Sequence, residues 1–537
     1  MYTRNVNAQI FLNLLKKYNI RKIVISPGAQ NFGIGGSVLD DDWFEAYSVV
    51  DERSAAYFAT GLAFESGEPV VLSCTGATAS RNYLPGLTEA YYRKLPVIAL
   101  TGTHYHPDKN DFSPQSVDRT VVAKDVQLYS AELPPVKDEG DFKLVQKRVN
   151  EALIIATEQK LGPVHLDFIN TEYLLDVECL PEVQELDYVT VDKARNLDKL
   201  SGKIGVLIGS HSPFPKETQN AISKFAKKFS APVFCDHTAN YHGVNKILIS
   251  QVLSHGGLEA YPDILIDLGG VIGDYNVLNM AHAKEAWRIS EDGVLHDRYG
   301  NTTKLFDMRE IDFFNLPLKG RCENYYKSIS SQVINEIDEE NLPLSNTLVA
   351  KTLSEKLPRN SYLHLGILNS LRNMDLFNLD ESITVSSNVG GFGIDGAIST
   401  IVGQSMVNPE KLHFCVLGDL AFFYDMNALG IRHIGSNLRI LVVNNGRGVE
   451  FRITPPLEDQ VGKKLDEFTA AARHNGSAKA WAKAMGFEYI SAQDKDELKD
   501  GAERFCTDED LASPILFEVF TSVEDEKTGL KIATGKQ

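Results

Sequence analysis

Short runs of apolar residues, most of them bounded by Gly, Ser, Asn or Asp, recur along the chain. Continuous apolarity over about 4–8 residues is typical of a strand that is covered on both faces in a parallel sheet. Segments with helical spacing separate these runs, as at 141–158, where Val145, Val149, Ala152 and Leu153 share one face. The predicted strands are KIVIS (22–26), VVLSC (70–74), PVIALTG (96–102), PVHLDF (163–168), IGVLIG (204–209), ILIDLGG (264–270), HFCVLGD (413–419) and ILVVNN (440–445).

Strands that alternate with amphipathic helices favour doubly wound parallel α/β sheets. Two acidic, proline-containing stretches interrupt the alternation, at 176–187 and 335–345. We therefore predict three α/β domains, at 1–180, at 190–335 and at 345–537.

The composition excludes several classes of protein. Apolar residues make up 43% and charged residues 23% of the 537 residues, which is typical of a globular rather than a disordered chain. The formal charge is −18 and no basic run offsets it, so we expect no nucleic acid partner. No segment approaches the ~18 apolar residues that span a bilayer, so we expect no membrane partner either.

The cysteines and the N-terminus favour a cytoplasmic location. The N-terminal segment has a helical period at Ile10, Leu14 and Leu15 but no uninterrupted apolar core followed by a cleavage site. The cysteines form no CxxC pair and no disulfide framework, which is typical of reduced thiols. They are Cys74, Cys179, Cys235, Cys322, Cys415 and Cys506.

The strongest chemical signal is a pair of polar residues at two predicted strand ends. Asp419 and Asn445 stand 26 residues apart, and a helix-like segment at 424–434 lies between them. A strand, a crossover helix and a parallel strand return the chain to the same sheet edge, so the two side chains can converge. Their oxygens are hard ligands suited to Mg²⁺ or Mn²⁺ that is also held by a phosphate. The alternative is that Asp419 caps a helix and Asn445 forms a turn.

These residues belong to a larger set of motifs that resembles the thiamine diphosphate-dependent enzymes. Gly418-Asp419 and Asn444-Asn445 match the cofactor motif of that family. Within it, the chain is most similar to the 2-succinyl-5-enolpyruvyl-6-hydroxy-3-cyclohexene-1-carboxylate synthases of menaquinone biosynthesis. The matching motifs are SPG (26–28), DER (51–53), TGATASRNYLPGLTEA (75–90), LPVIALTG (95–102), PVHLDF (163–168), NS (369–370), GIDG (393–396) and GDLAFFYDMNAL (418–429).

The resemblance implies roles for individual residues. It makes Asp419, Asn445 and the main-chain carbonyl of Arg447 the metal ligands, and Glu52 the acid that activates the cofactor. The alternative interpretation of Glu52 is an acid stabilised in the first turn of a helix, and that of Ile394 is an ordinary core residue. The implied cofactor-binding residues are Gly418, Asp419, Leu420, Asn445, Ile394, Asn369, Ser370 and Asn388.

The resemblance also implies an oligomer. In the family the cofactor lies between the pyrimidine-binding domain of one subunit, here 1–180, and the diphosphate- and metal-binding domain of another, here 345–537. We therefore expect a homodimer or homotetramer with active sites between subunits.

The expected substrate pocket departs from the family pattern. Four arginines of the synthases are replaced, by Gln30, His104, Met374 and Val389. Arginine binds carboxylates through charge-assisted paired hydrogen bonds, so their loss predicts a less anionic substrate.

Other residues are the candidates for the remaining roles in this pocket. Gln30, Arg372 and Arg452 are the predicted substrate contacts, and Gln115, His104 and His106 are candidate catalytic groups. For each histidine, a surface or core position is the alternative.

Three hypotheses follow. The leading one is a thiamine diphosphate- and Mg²⁺-dependent enzyme that decarboxylates a 2-oxo acid. The resulting carbanion is either transferred to a second acceptor, which makes the enzyme a carboligase, or protonated, which makes it a decarboxylase. The second is the menaquinone synthase activity itself, with 2-oxoglutarate and isochorismate. The third is a non-catalytic homologue that acts as a binding or scaffold protein.

Overall fold

The computed structural model describes residues 1–104, 114–115, 117, 122–195, 197, 199–253, 257–322, 324–333, 337, 339–453 and 473–535. They form two compact units. The first consists of Met1–Asp192 with Ser290–Met308, and the second of Lys193–Ile289 with Arg309–Gln537.

The first unit is built on a six-stranded sheet in which all neighbours are parallel. In spatial order its strands are Glu45–Ser48, Lys22–Ile25, Val70–Thr75, Val97–His104, Val164–Asn170 and Tyr129–Leu133. The helices are Val6–Lys17, Phe32–Leu39, Glu52–Ser66, Thr78–Asn82, Leu84–Arg93 and Glu139–Ile154. The first of them buries Ile10, Leu14 and Leu15, which confirms the predicted N-terminal period.

Shorter elements complete this unit. Tyr2–Thr3 pairs antiparallel with Leu175–Val177, so part of the predicted 176–187 linker is a strand. Asp187–Thr190 pairs parallel with Thr302–Asp307, and a helix at Val191–Ala194 follows. The α-helix predicted at 141–158 spans Glu139–Ile154, and one π-helical turn, Ile155–Gln159, follows it directly.

Among its described residues, the second unit contains one two-stranded pair and two larger sheets. The strands of the one nearer the N-terminus are parallel, in the order Lys246–Leu248, Val233–Cys235, Ile204–Ile208, Ile264–Leu268 and Glu285–Ser290. The strand Leu200–Gly202, which precedes these strands in the sequence, pairs parallel with Gly320–Cys322, which follows them. The helices of this part are Lys216–Phe229, Ser250–Leu253, Glu310–Phe314 and Tyr325–Ser330, with 3₁₀ turns at His237–Ala239 and Tyr275–His282.

The C-terminal sheet has six parallel strands. Their spatial order is Thr384–Ser387, Tyr362–Leu365, His413–Gly418, Leu438–Asn444, Ile515–Phe520 and Glu488–Ala492. Its helices are Asn346–Lys356, Asn369–Met374, Ala397–Val407, Asp419–Asp425, Glu450–Ile453, Lys479–Ala484, Lys495–Phe505 and Val523–Thr534, with 3₁₀ turns at Glu339–Asn341 and Met426–Gly430.

The six-stranded sheets of the two units share one strand order. Numbered along the chain, both run 2-1-3-4-6-5. In each, the connections after strands 1 and 3 leave toward opposite sides, and a crevice opens at the carboxyl ends of these strands. Strand 1 is Lys22–Ile25 in the first unit and Tyr362–Leu365 in the second, and strand 3 is Val70–Thr75 or His413–Gly418.

The structure confirms the fold class of parallel-sheet α/β domains and all eight predicted strands. The helix between Asp419 and Asn445 differs from the prediction, because it begins at Asp419 itself and ends at Asp425. The three domain boundaries stay a prediction. Within the described residues, no helix is both long and apolar enough to cross a membrane.

Candidate active site

Asp419 and Asn445 follow neighbouring strands of the C-terminal sheet. In the register of the strands, Gly418 lies opposite Val443, so the chain leaves both strands at the same edge. The carboxylate of Asp419 accepts the Gly446 N–H at 2.7 Å through Oδ2 and the Leu420 N–H at 2.7 Å through Oδ1. Gly446 has φ of +75°, a conformation that glycine adopts at little cost and that turns its N–H toward Asp419. Asp419 therefore contacts the turn that follows Asn445, and the convergence of the two side chains stays a prediction.

The environment of Asp419 is buried. Only 2% of the residue is exposed, and this burial raises the pKa of the Asp419 carboxyl above its usual value. The imidazole of His474, 3.2 Å from Oδ2, and the backbone N–H groups of Leu420, Gly446 and Arg447 act in the opposite direction. A bound divalent cation would further favour the ionised carboxylate.

The donor atoms at this edge fit a hard cation. Asn445 Oδ1 is buried and has no hydrogen-bond partner among the described residues, and Asn445 directly precedes Gly446, whose N–H binds Asp419. Arg447 lies in the same turn, since its N–H also binds Asp419. Within the described ranges no three His, Cys, Asp or Glu side chains form a metal-binding group. One carboxylate, one amide oxygen and one carbonyl are a set that Mg²⁺ accepts together with phosphate oxygens.

The preceding asparagine has a different role, which the sequence did not reveal. Asn444 Nδ2 donates to Glu518 Oε1 at 2.8 Å and to the Gly476 carbonyl at 2.9 Å. Glu518 is fully buried and also accepts hydrogen bonds from Ser477, Ala478 and Tyr489. Asn444 thus fixes the turn, while Asn445 is left to face the edge.

The other predicted cofactor residues of this sheet also follow its strands. Asn369 and Ser370 begin the helix after Tyr362–Leu365, and Asn369 Oδ1 is buried without a partner. Asn388, one residue after Thr384–Ser387, accepts the Thr400 hydroxyl at 3.2 Å. The half-buried side chain of Ile394 packs against the apolar cluster that includes Ile398 and Phe422.

In the first unit, two of the replaced arginine positions contact each other. Gln30 Nε2 lies 2.8 Å from His104 Nε2 and 3.0 Å from the Tyr173 hydroxyl, and Gln30 is 3% exposed. A Cβ atom at Gly102 would lie 2.3 Å from the Gln30 carbonyl oxygen, so glycine is what allows the two backbones to approach. The arrangement is a hydrogen-bonded pair that contains no guanidinium, at the crevice of the first sheet.

Glu52 is the first residue of the helix Glu52–Ser66 and is half-buried. Its neighbour Asp51 caps this helix by accepting the Ser54 N–H at 2.7 Å, so capping does not require Glu52. Gln115 is exposed and has φ of +64°. His106 lies outside the described residues.

The predicted basic substrate contacts lie in the second unit. Arg372 makes a bidentate ion pair with Glu450, a residue that the sequence analysis missed. Arg452 lies in the same short helix as Glu450. Met374 and Val389, at 0% and 4% exposure, belong to the apolar core of the C-terminal sheet.

Comparisons with known proteins agree with the motifs. Residues 6–122 match the family described as thiamine pyrophosphate enzyme, N-terminal TPP binding domain. Over its full length the chain is similar to proteins named 2-succinyl-5-enolpyruvyl-6-hydroxy-3-cyclohexene-1-carboxylate synthase. The identity is 31% to the Bacteroides fragilis protein, with 99% of each chain covered. It is 30% to that of Phocaeicola vulgatus, covering 99% of this chain and 98% of the relative, and 29% to that of Flavobacterium psychrophilum, covering 97% of each.

Proposed function

Since this chain belongs to the thiamine pyrophosphate-dependent enzymes, we propose that it decarboxylates a 2-oxo acid with thiamine diphosphate and Mg²⁺ and transfers the remaining carbon fragment to an acceptor. The observation that carries the proposal is the edge at Asp419 and Asn445. A buried carboxylate and a buried amide oxygen without a partner stand at adjacent strand ends, which suits a metal that neutralises a diphosphate.

In this proposal, Mg²⁺ or Mn²⁺ would be held by Asp419, Asn445 and the Arg447 carbonyl. Ile394 would support the cofactor, which would be bound by Gly418, Leu420, Asn369, Ser370 and Asn388. When bound, thiamine diphosphate supplies the electron sink that lets a 2-oxo acid lose CO₂. Glu52 donates the hydrogen bond that activates the cofactor, and His104, His106 and Gln115 orient the substrate and move its protons.

We further propose that the substrate is less anionic than the substrates of the menaquinone synthases. The Gln30–His104 pair and the burial of Met374 and Val389 support this, because none of these side chains supplies a guanidinium for a second carboxylate.

The second candidate is the synthase activity itself. The 31% identity over 99% of both chains favours it. It requires that the purified protein, with cofactor and Mg²⁺, consume 2-oxoglutarate in the presence of isochorismate.

One experiment separates these functions. A panel of 2-oxo acids is offered with and without aldehyde or enone acceptors, and CO₂ release is followed for the wild type and Glu52→Gln. We expect release from at least one donor and a loss of about 10²–10⁴-fold in the variant. No release from any donor, despite measurable cofactor binding, would favour the non-catalytic homologue. Equal turnover by the variant would remove Glu52 from the mechanism.

A site shared between subunits remains part of the proposal. We propose a homodimer or homotetramer acting in the cytoplasm on small molecules.

A further inference from the structure

Arg372 is held by a carboxylate of its own chain. Its Nη2 lies 3.1 Å from Glu450 Oε1 and its Nη1 lies 3.2 Å from Oε2, and the two side chains are 19% and 22% exposed. A bidentate pair with this little exposure is screened less by solvent and salt than a surface pair. The positive charge of Arg372 is therefore largely neutralised within the protein.

The pair lies at the edge where the cofactor is expected. Arg372 is in the helix that follows the strand Tyr362–Leu365, and Glu450 begins the helix that follows Leu438–Asn444. These two strands flank His413–Gly418, the strand that leads to Asp419. The ion pair therefore joins the two helices that follow the flanking strands.

We infer that Glu450 is a specificity-determining residue, which occupies Arg372 and directs the site toward a 2-oxo acid without a second carboxylate. This inference rests on the function proposed above. A substrate with a distal carboxylate would have to break the bidentate pair with Glu450 to reach the guanidinium, which costs the favourable energy of that pair. A monocarboxylate with an apolar tail meets no such cost.

The neighbouring side chains act in the same direction. Leu371 and Met374, on the same helix as Arg372, are fully buried, and Val389 is 4% exposed. They belong to the apolar core of the C-terminal sheet and carry no charge. None of these three side chains could therefore pair with a substrate carboxylate while Arg372 is held by Glu450.

The test measures binding rather than turnover, with glutarate as a dicarboxylate probe and propionate as a monocarboxylate probe. Dissociation constants are determined by calorimetry on the cofactor- and Mg²⁺-loaded protein for the wild type, Glu450→Gln, and the double variant Arg372→Met/Glu450→Gln. We expect Glu450→Gln to bind glutarate at least about tenfold more tightly, with propionate unchanged, because Arg372 gains a free partner position. The double variant should lose this gain.

A matched control is available in the same sheet. Glu488 makes a bidentate pair with Arg504, with distances of 2.8 and 2.7 Å, so Glu488→Gln breaks a comparable ion pair. Its affinity for glutarate should equal that of the wild type.

Unchanged glutarate affinity in Glu450→Gln, or a gain that persists without Arg372, would overturn the inference. A drop in cofactor affinity or melting temperature without any gain in glutarate binding would also overturn it, since the ion pair would then only stabilise the packing of two helices. The proposed function fails by a different result, namely no CO₂ from any 2-oxo acid in the wild type.

Discussion

Gln30 Nε2 lies 2.8 Å from Nε2 of His104, and this contact joins the loop after the strand Lys22–Ile25 to the last residue of the strand Val97–His104. An amide nitrogen donates, so His104 accepts this hydrogen bond at Nε2. Gln30 Oε1 in turn lies 3.3 Å from the Tyr173 hydroxyl and 3.4 Å from Asn170 Nδ2. The glutamine therefore occupies one ring nitrogen of the histidine while it also contacts Tyr173 and Asn170.

Replacing Gln30 with alanine should lower both stability and substrate affinity. The buried amide of Gln30 accepts from Asn170 Nδ2, which is itself buried, and leaving such a donor unsatisfied costs about 1–3 kcal/mol in the free energy of unfolding. We expect this loss in urea denaturation and a raised KM for the donor. Gln159→Ala, which removes one bond of 3.0 Å to the Gly293 carbonyl, is the control and should cost less. Equal losses of unfolding free energy in both variants would show that the contacts of Gln30 contribute no more to stability than the single hydrogen bond of Gln159.

Asp419→Asn should abolish Mg²⁺-dependent cofactor binding. The amide keeps the size of the side chain but removes the negative charge that, in our proposal, binds the metal. Titration of thiamine diphosphate at several Mg²⁺ concentrations, followed by protein fluorescence, should show at least about a hundredfold weaker binding that no longer responds to the metal.

Asp425 provides the comparison for this variant. It is a buried carboxylate on the same helix, and it binds the Ser399 N–H and hydroxyl at 2.7 and 2.6 Å. Asp425→Asn should reduce stability while leaving the Mg²⁺ response intact. If both variants kept that response, Asp419 would not be a metal ligand.

Much of this site followed from the sequence because its elements are local. The runs at 413–419 and 440–445 predicted two buried strands, and parallel pairing then required Asp419 and Asn445 to leave at one edge. The contacts between Gln30 and His104 and between Arg372 and Glu450 were not predictable in this way. They join residues 74 and 78 positions apart, so only the assembled sheets bring them together.

The edge strands were also missed, for a physical reason. Glu45–Ser48 and Thr384–Ser387 each lie at the border of a sheet and are short and partly exposed. Their sequences, EAYS and TVSS, therefore lack the continuous apolarity that marks a strand covered on both faces.

Asp375→Asn should stabilise the protein near neutral pH. Asp375 is fully buried, and burial together with the charges of Asp236 and Asp274 raises its pKa well above the usual value. Because the folded pKa is the higher one, the stability contributed by the protonated form is complete below the unfolded pKa and is lost as pH rises toward the folded pKa. An asparagine can still accept the His237 N–H, which Oδ1 of Asp375 accepts at 2.9 Å, and it carries no such penalty.

Thermal unfolding at pH 5 and pH 8 tests this expectation. The variant should exceed the wild type by about 1 kcal/mol or more at pH 8, and the gap should narrow at pH 5. Glu381→Gln changes an exposed carboxyl nearby and should show no such gap. A pH-independent difference between Asp375→Asn and the wild type would contradict the linkage.

Phe58→Asp should separate the subunits. The helix that begins at Glu52 exposes three aromatic side chains, Tyr57, Phe58 and Phe64, to 45%, 41% and 60%. Clustered exposed aromatic residues are typical of protein interfaces, and the proposed site requires a second copy of the chain. A buried aspartate at position 58 would be an unpaired charge in that interface, so light scattering should show monomers and turnover should fall with the loss of the oligomer.

Leu39→Asp is the matched control, because Leu39 is 74% exposed at the end of a different helix of the same unit. It should leave both the oligomeric state and turnover unchanged. An oligomeric and active Phe58→Asp protein would exclude this helix face as the subunit interface. A monomeric but fully active variant would go further, because it would show that one chain alone completes the site.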